Sequence, residues 1–357
     1  MKRLATLCVA GMLLAQAGSA ALAADTGPEL KSIGPMTFAP KGVLLIGDPK
    51  QAAVFAVETG DMAKADKMAP INIEGLGEKL ADMLGTKASD IQVKDLAINP
   101  LSGTAYLGVH RGRGPEATPV VMKITGGEIT EFAVKEAKFT KAALTNAPKD
   151  EGQGRRNRRT QSITDIAFSE GQVIVAGLSN EEFASKLRVM DFPFKSVDAG
   201  TSVEVYHGAH GKLETRSPVR TFIPFKIDDK PHLLAAYTCT PLVKFPVADL
   251  APGKKIQGTT IAELGAGNRP LDMVTYEKDG KNFLLIANSR RGIMKVDTAQ
   301  VADQEGINER VRGIAGIKYE TIKDWKGVVQ LEQLDAKHAC LVIDDKGTRH
   351  LKTVALP

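Results

Sequence analysis

Tryptophan is almost absent from this chain: Trp325 is the only one in 357 residues, and aromatic residues make up 5%. That excludes single-strand nucleic-acid recognition through a row of stacking rings. Long apolar runs are also missing. The longest, near the N-terminus, falls short of the about 20 residues that cross a bilayer, so no membrane-spanning helix is expected. Neither sign of charge dominates, with 47 Lys and Arg against 42 Asp and Glu, and a balance this mild does not imply nucleic acid. No Gly-x-Ser-x-Gly elbow, P-loop, Cys-x-x-Cys-His or His-Glu-x-x-His is present. The serine-hydrolase, nucleotide, haem and zincin sites that those motifs build are therefore not expected.

What is there begins with an export signal. Lys2 and Arg3 precede a mostly apolar stretch from Leu4 to Leu14, and Ala21 and Ala23 fall in an A-x-A pattern. This predicts a signal peptide over residues 1–24, cut after Ala23 or Ala24, and a periplasmic mature protein. Removing Lys2 and Arg3 lowers the formal charge from +5 to +3. Cys239 and Cys340 are the two cysteines beyond the signal. An oxidising compartment permits a disulfide, but the two lie two repeats apart, so none is expected.

One short apolar strand recurs along the chain: Gly42-VLLIGD, Thr104-AYLGVH, Gln172-VIVAGL, His232-LLAAY, Asn282-FLLIAN and His338-ACLVID. Near-continuous apolar strands suit sheets covered on both faces, and a degenerate repeat of short strands points to a β-propeller. The expected fold is therefore all-β: one propeller over residues 25–357, with six blades, or seven if an insertion hides one. Short helical insertions are expected as well, since Leu76, Leu80, Met83 and Leu84 follow helical spacing. The last blade lacks a fourth strand, and a ring avoids open edges. Glu29 to Ile33 is expected to supply that strand. The polar stretch from Lys135 to Gln161, with Arg155, Arg156, Arg158 and Arg159, is expected to be a solvated insertion.

In its strand rhythm the chain resembles the exported propellers of the quinoprotein-like and YVTN-like kind. The YVTN signature and the Trp-Asp dipeptides of WD40 blades are both absent. With one tryptophan, the tryptophan docking repeats of the quinone-cofactor dehydrogenases are absent too. The resemblance implies an architecture that hosts enzymes, ligand binders and scaffolds alike.

Mapping the repeat places the b–c loops and d–a links on one face, where binding groups usually sit. Arg111, Asn180, Cys239, Arg269, Asn288 and Arg290 are candidate ligand-binding residues. Glu181 and Glu182 are candidate acid or base carboxylates. His207, His210 and Glu214 offer two imidazoles and an oxygen, a set suited to zinc, copper or iron; Gly208 and Gly211 would let the rings converge. Asp95, Asp165 and Asp272 recur near the start of a first strand, which fits ties between adjacent blades. Two functions remain open. One is a monomeric binding or scaffold protein whose polar face meets a protein partner or small ligand. The other is a metal-dependent hydrolase or oxidoreductase using a divalent transition metal at the His/Glu set.

Overall fold

The computed structural model describes residues 18–19, 27–151, 157–239 and 241–357. The expected signal peptide, apart from the backbone of Gly18 and Ser19, and also Arg155 and Arg156, lie outside the described residues. The rest is an all-β, propeller-like arrangement of short antiparallel meanders, with no helix long and apolar enough to cross a membrane.

The first meander is Met36–Ala39, Val43–Asp48 and Ala53–Glu58. The second is Ile91–Ile98, Ala105–Arg111, Thr118–Thr125 and Glu128–Phe132. The third runs Asp165–Ser169, Gln172–Leu178, Ser185–Asp191 and Thr201–His207. The fourth is Thr221–Ile227, Lys230–Ala236, Pro241–Pro246 and Lys255–Leu264. The fifth is Pro270–Lys278, Lys281–Asn288, Gly292–Asp297 and Glu320–Ile322. The sixth has three strands, Val328–Gln333, His338–Asp345 and Thr348–Ala355. The outer strands of the third and fourth pair in parallel, merging those two meanders into one larger sheet.

The recurrent apolar segments are the second strands, and they are buried because a neighbouring sheet covers each face. Leu44, Leu45 and Ile46 follow one another with no exposure, which an alternating, half-solvated strand would not allow. Several hairpins turn on a residue pair in left-handed backbone, among them Lys41-Gly42 and Asp279-Gly280. Two consecutive positive φ values match the twist of the flanking strands, and glycine takes the second without strain.

The order of the meanders around the axis is not the order of the chain. The innermost strand of the first packs against those of the second and the third, and that of the second packs against the sixth. Apolar cores fill the spaces between first and second, first and third, third and fourth, fourth and fifth, fifth and sixth, and sixth and second. After building the second meander the chain crosses back, and Phe139–Ala143 becomes the fourth strand of the first. Part of the stretch expected to be a solvated insertion is thus sheet.

The ring also closes differently from the expectation. Glu29 to Ile33 forms no strand. Lys31 N–H and Ser32 Oγ–H donate to the carboxylate of Asp48, at 2.7 and 2.6 Å, and Ile33 N–H donates to His110 Nε2 at 2.9 Å, which seats this segment against the first two meanders. The open edge of the sixth meander is covered from the other direction. Ile73 and Leu351 exchange backbone hydrogen bonds of 2.8 and 3.0 Å. Ile71 N–H donates to Thr353 Oγ at 2.7 Å. The helix Leu76–Met83 follows directly and packs into the core between the second and sixth meanders. It forms where expected and sits in the closing seam.

Candidate functional site

The inner strands leave a cavity of about 890 Å³ along the axis. Asp95, Asp165, Asp272 and Glu332 line it, together with Lys94, His110, Arg220 and Gln330. One oxygen of each aspartate is committed to a neighbouring meander, and in Asp165 and Asp272 the other accepts from the N–H of Ile166 and of Met273, each at 2.8 Å. Met36 N–H donates to Asp95 at 2.5 Å, Phe222 N–H to Asp165 at 2.7 Å and Leu331 N–H to Asp272 at 2.8 Å. The expected ties are therefore present, yet the same carboxyls also face the cavity. Removal from bulk water pushes Asp165 and Glu332 up to about 7. Asp95 and Asp272 are also raised well above the ordinary range, by burial first and then by neighbouring carboxyls, Asp165 and Glu332 for Asp95, and Asp95 and Glu332 for Asp272. His110 moves the other way, to about 4, because burial disfavours its cation and its Nε2 already accepts from Ile33. Arg220 lines the cavity with its Nε buried and without a hydrogen-bond partner among the described residues. Arg269 is near enough for its charge to lower the pKa of Arg220 further.

Four of the candidate ligand-binding residues, Cys239, Arg269, Asn288 and Arg290, come together outside the lining of this cavity. Asn268, which sequence reasoning passed over, joins them: its Oδ1 accepts from Arg290 N–H, its Nδ2 donates to Asn288 Oδ1 at 2.8 Å, and its carbonyl accepts from Cys239 N–H at 2.7 Å. Arg269 and Ser289 bond to each other alongside. Cys239 holds a left-handed φ of 65°, an uncommon backbone for a residue other than glycine. No disulfide joins Cys239 and Cys340.

The other candidates lie apart and have partners. The Arg111 guanidinium donates to the carbonyl of Leu84, at the closing seam. Asn180 N–H bonds the carbonyl of Asn146. Glu181 is ion-paired at 2.5 Å with the buried ammonium of Lys186 and accepts from Asn146. Those partners outweigh its desolvation and hold its carboxyl below the usual range, which makes it a weak base. Glu182 is exposed, with its carbonyl accepting from Arg216.

His207, His210 and Glu214 do converge. The outer strand of the third meander ends at His207, a tight turn through Gly211 follows, and Lys212–Glu214 pairs back onto that strand. Ligand atoms of the three residues all lie within 4.8 Å of one another. Glu214 Oε1 is 2.7 Å from His210 Nδ1, and its Oε2 is 3.3 Å from His207 Nδ1 and 2.5 Å from the hydroxyl of Ser217. These hydrogen bonds, that of His207 first, hold the Glu214 carboxyl well below the usual range. The rings lie close, with centroids 3.8 Å apart and planes inclined by 37°. Cys239 is not a member of the set.

No family model and no curated protein matches the chain. Similar solved structures include a glucose dehydrogenase, 12% identical over 95% of this chain and 100% of that one, with a TM-score of 0.39. Another is the Cps50 (Swd1) β-propeller domain of Myceliophteria thermophila, 10% identical over 91% of this chain and 84% of that one, with a TM-score of 0.38. A third is Drosophila semaphorin 1b extracellular domains 1–2, 10% identical over 96% and 88%, with a TM-score of 0.39. At these values no conclusion about activity is drawn from them, and the propeller-like fold rests on the strand topology.

Proposed function

We propose that this protein is an exported, monomeric, six-bladed propeller, one domain over residues 25–357, that binds a small zwitterion in its axial cavity. The observation that carries this reading is one cavity lined both by four carboxyls that burial makes hold their protons and by an arginine whose Nε has no partner among the described residues. An ammonium or guanidinium group would take the place of the protons that Asp95, Asp165, Asp272 and Glu332 otherwise hold. A carboxylate on the same molecule would pair with Arg220, with Arg269 adjacent; arginine suits this because its planar fork matches a carboxylate. A cavity of this size admits an amino-acid-sized molecule with room to spare.

The reading is checked by titration calorimetry with three probes: free lysine, the diamine putrescine and the dicarboxylate glutarate. Lysine should bind more tightly than either single-charge-type probe. Asp272→Asn, which keeps one acceptor but not both of those that Leu331 N–H and Met273 N–H use, should weaken lysine binding about tenfold, the scale of one charge-assisted hydrogen bond, with folding checked by circular dichroism. Failure of all three probes to bind would sink it.

A further inference from the structure

Glu263 is explained neither by the axial cavity nor by the loop face. It is fully buried near the end of the strand Lys255–Leu264. Its Oε1 accepts weakly from Ala209 N–H at 3.3 Å. Among the described residues its Oε2 has no hydrogen-bond partner and faces His207 Nε2 at 4.0 Å, and that nitrogen is buried without a partner too. Two complementary polar atoms left unpaired in a sealed place cost about 1–3 kcal/mol each. Something should repay that cost.

Glu214 stands at the other nitrogen of the same imidazole, Nδ1, and the His210 ring lies over it. Two imidazoles and one carboxylate are the donors that zinc-class ions select, whereas calcium and magnesium prefer oxygen alone. We propose that His207, His210 and Glu214 bind one divalent transition metal, zinc or a near relative, and that Glu263 is the positioning carboxylate for His207. With Nδ1 of His207 given to the metal, its Nε2 carries the proton and donates it toward Glu263 Oε2. A carboxylate behind a ligating histidine fixes the tautomer and raises the basicity of the ring. Closing the 4.0 Å between them on metal binding would then bring the otherwise unpaired oxygen and nitrogen into one hydrogen bond.

The surroundings are built to match. Gly211 takes a φ of +68°, which lets the turn fold back so that His210 faces His207. A Cβ on Gly208 would come within 2.8 Å of Val311 Cγ2 and 3.2 Å of Glu263 Cγ, so the turn can press against the buried carboxylate only as glycine. The segment carrying Ile307, Arg310 and Val311 crosses over, with Val311 N–H donating to the carbonyl of Gly208 at 3.1 Å. The His207 side is closed, while the His210 side chain keeps 45% of its surface exposed, which leaves an approach for an ion and for a fourth ligand.

The test uses protein purified from periplasm without chelator or histidine tag. Metal content is measured by mass spectrometry, and affinity by zinc competition against a chromophoric chelator. One equivalent of a zinc-class metal is expected. Because His210 is partly exposed, His210→Ala should fold normally, checked by circular dichroism, and should lose at least a hundredfold in zinc affinity. Glu263→Gln should still bind one equivalent, but 10- to 100-fold more weakly, and should shift the visible spectrum of the cobalt(II) form, which a merely packed side chain would not do. Absence of stoichiometric zinc uptake, or uptake unaltered by His210→Ala, would overturn the site as adventitious. An unaltered cobalt spectrum in Glu263→Gln would overturn the role of Glu263. Lysine binding at the axis should be the same in all of these proteins.

Discussion

Leu80→Ala is expected to lower the free energy of unfolding by about 2–5 kcal/mol, the range for removing a fully buried leucine from a close-packed core. Leu76 and Leu80 are four residues apart on one face of the helix and have no exposed surface. They fill the seam between the second and sixth meanders with Ile71, Ile73, Leu107, Val342 and Leu351. This seam joins segments from distant parts of the chain, so a loss there opens the ring rather than one local turn. The measurement is urea denaturation, reading the midpoint and its slope. The midpoint should fall while the slope stays constant, since the same surface is exposed on unfolding. Glu29→Ala is the companion variant: its carboxylate pairs only with exposed Lys31, so its effect should stay within about 0.5 kcal/mol. A cost below 1 kcal/mol for Leu80→Ala would refute closure through this helix.

The strand rhythm was legible because each second strand is covered on both faces and therefore reads as an unbroken apolar run. The outer strands were harder. Phe139-Thr-Lys-Ala-Ala143 lies on a sheet edge, where only Ala142 is buried, and so it resembles loop. Nothing local records that it returns to the first meander after the second is complete. The closing seam was missed for a related reason: Ile71 and Ile73 are isolated apolar residues in a polar stretch, and their partner Leu351 lies near the other end of the chain.

The candidate sites divide along the same line. The His-x-x-His-x-x-x-Glu spacing is local, so sequence alone could nominate it. Glu263 could not be found that way, because it reaches the cluster from the next meander and reads as the polar end of an apolar strand. The aspartates at the axis were visible by their recurrent position. Glu332 was not, although a carboxylate inside the alternating strand Val328–Gln333 is a signal in hindsight: its side chain has to face either water or a cavity. Glu181 was misjudged because nothing in the sequence shows that Lys186, in a buried strand, would reach back to pair with it.

The carboxyls at the axis should set how both stability and binding vary with pH. Carboxyls in the unfolded chain release their protons near pH 4. In the folded protein Asp165 and Glu332 hold theirs to about 7, and Asp95 and Asp272 are also strongly raised. Between those limits the folded form binds more protons than the unfolded form, so stability falls as pH rises from about 4 to 7. His110 works against this, because its folded value near 4 lies below that of a free imidazole and favours folding as pH rises. Four carboxyls outweigh one imidazole. Glu214, Glu181, Asp61 and Asp335, whose values are lowered, act in a lower window: their contribution is lost on acidification below the ordinary carboxyl range. The unfolding free energy should therefore peak near about pH 4 and decline toward 8, and Asp165→Asn with Glu332→Gln should flatten the decline. The same protons compete with the positive end of a bound zwitterion. Lysine affinity should rise at least tenfold from pH 5.5 to 7.5, since each proton displaced on binding adds up to tenfold per pH unit. A flat affinity profile beside a falling stability profile would mean that the raised carboxyls serve the fold alone and that the ligand, if it binds, does not meet them.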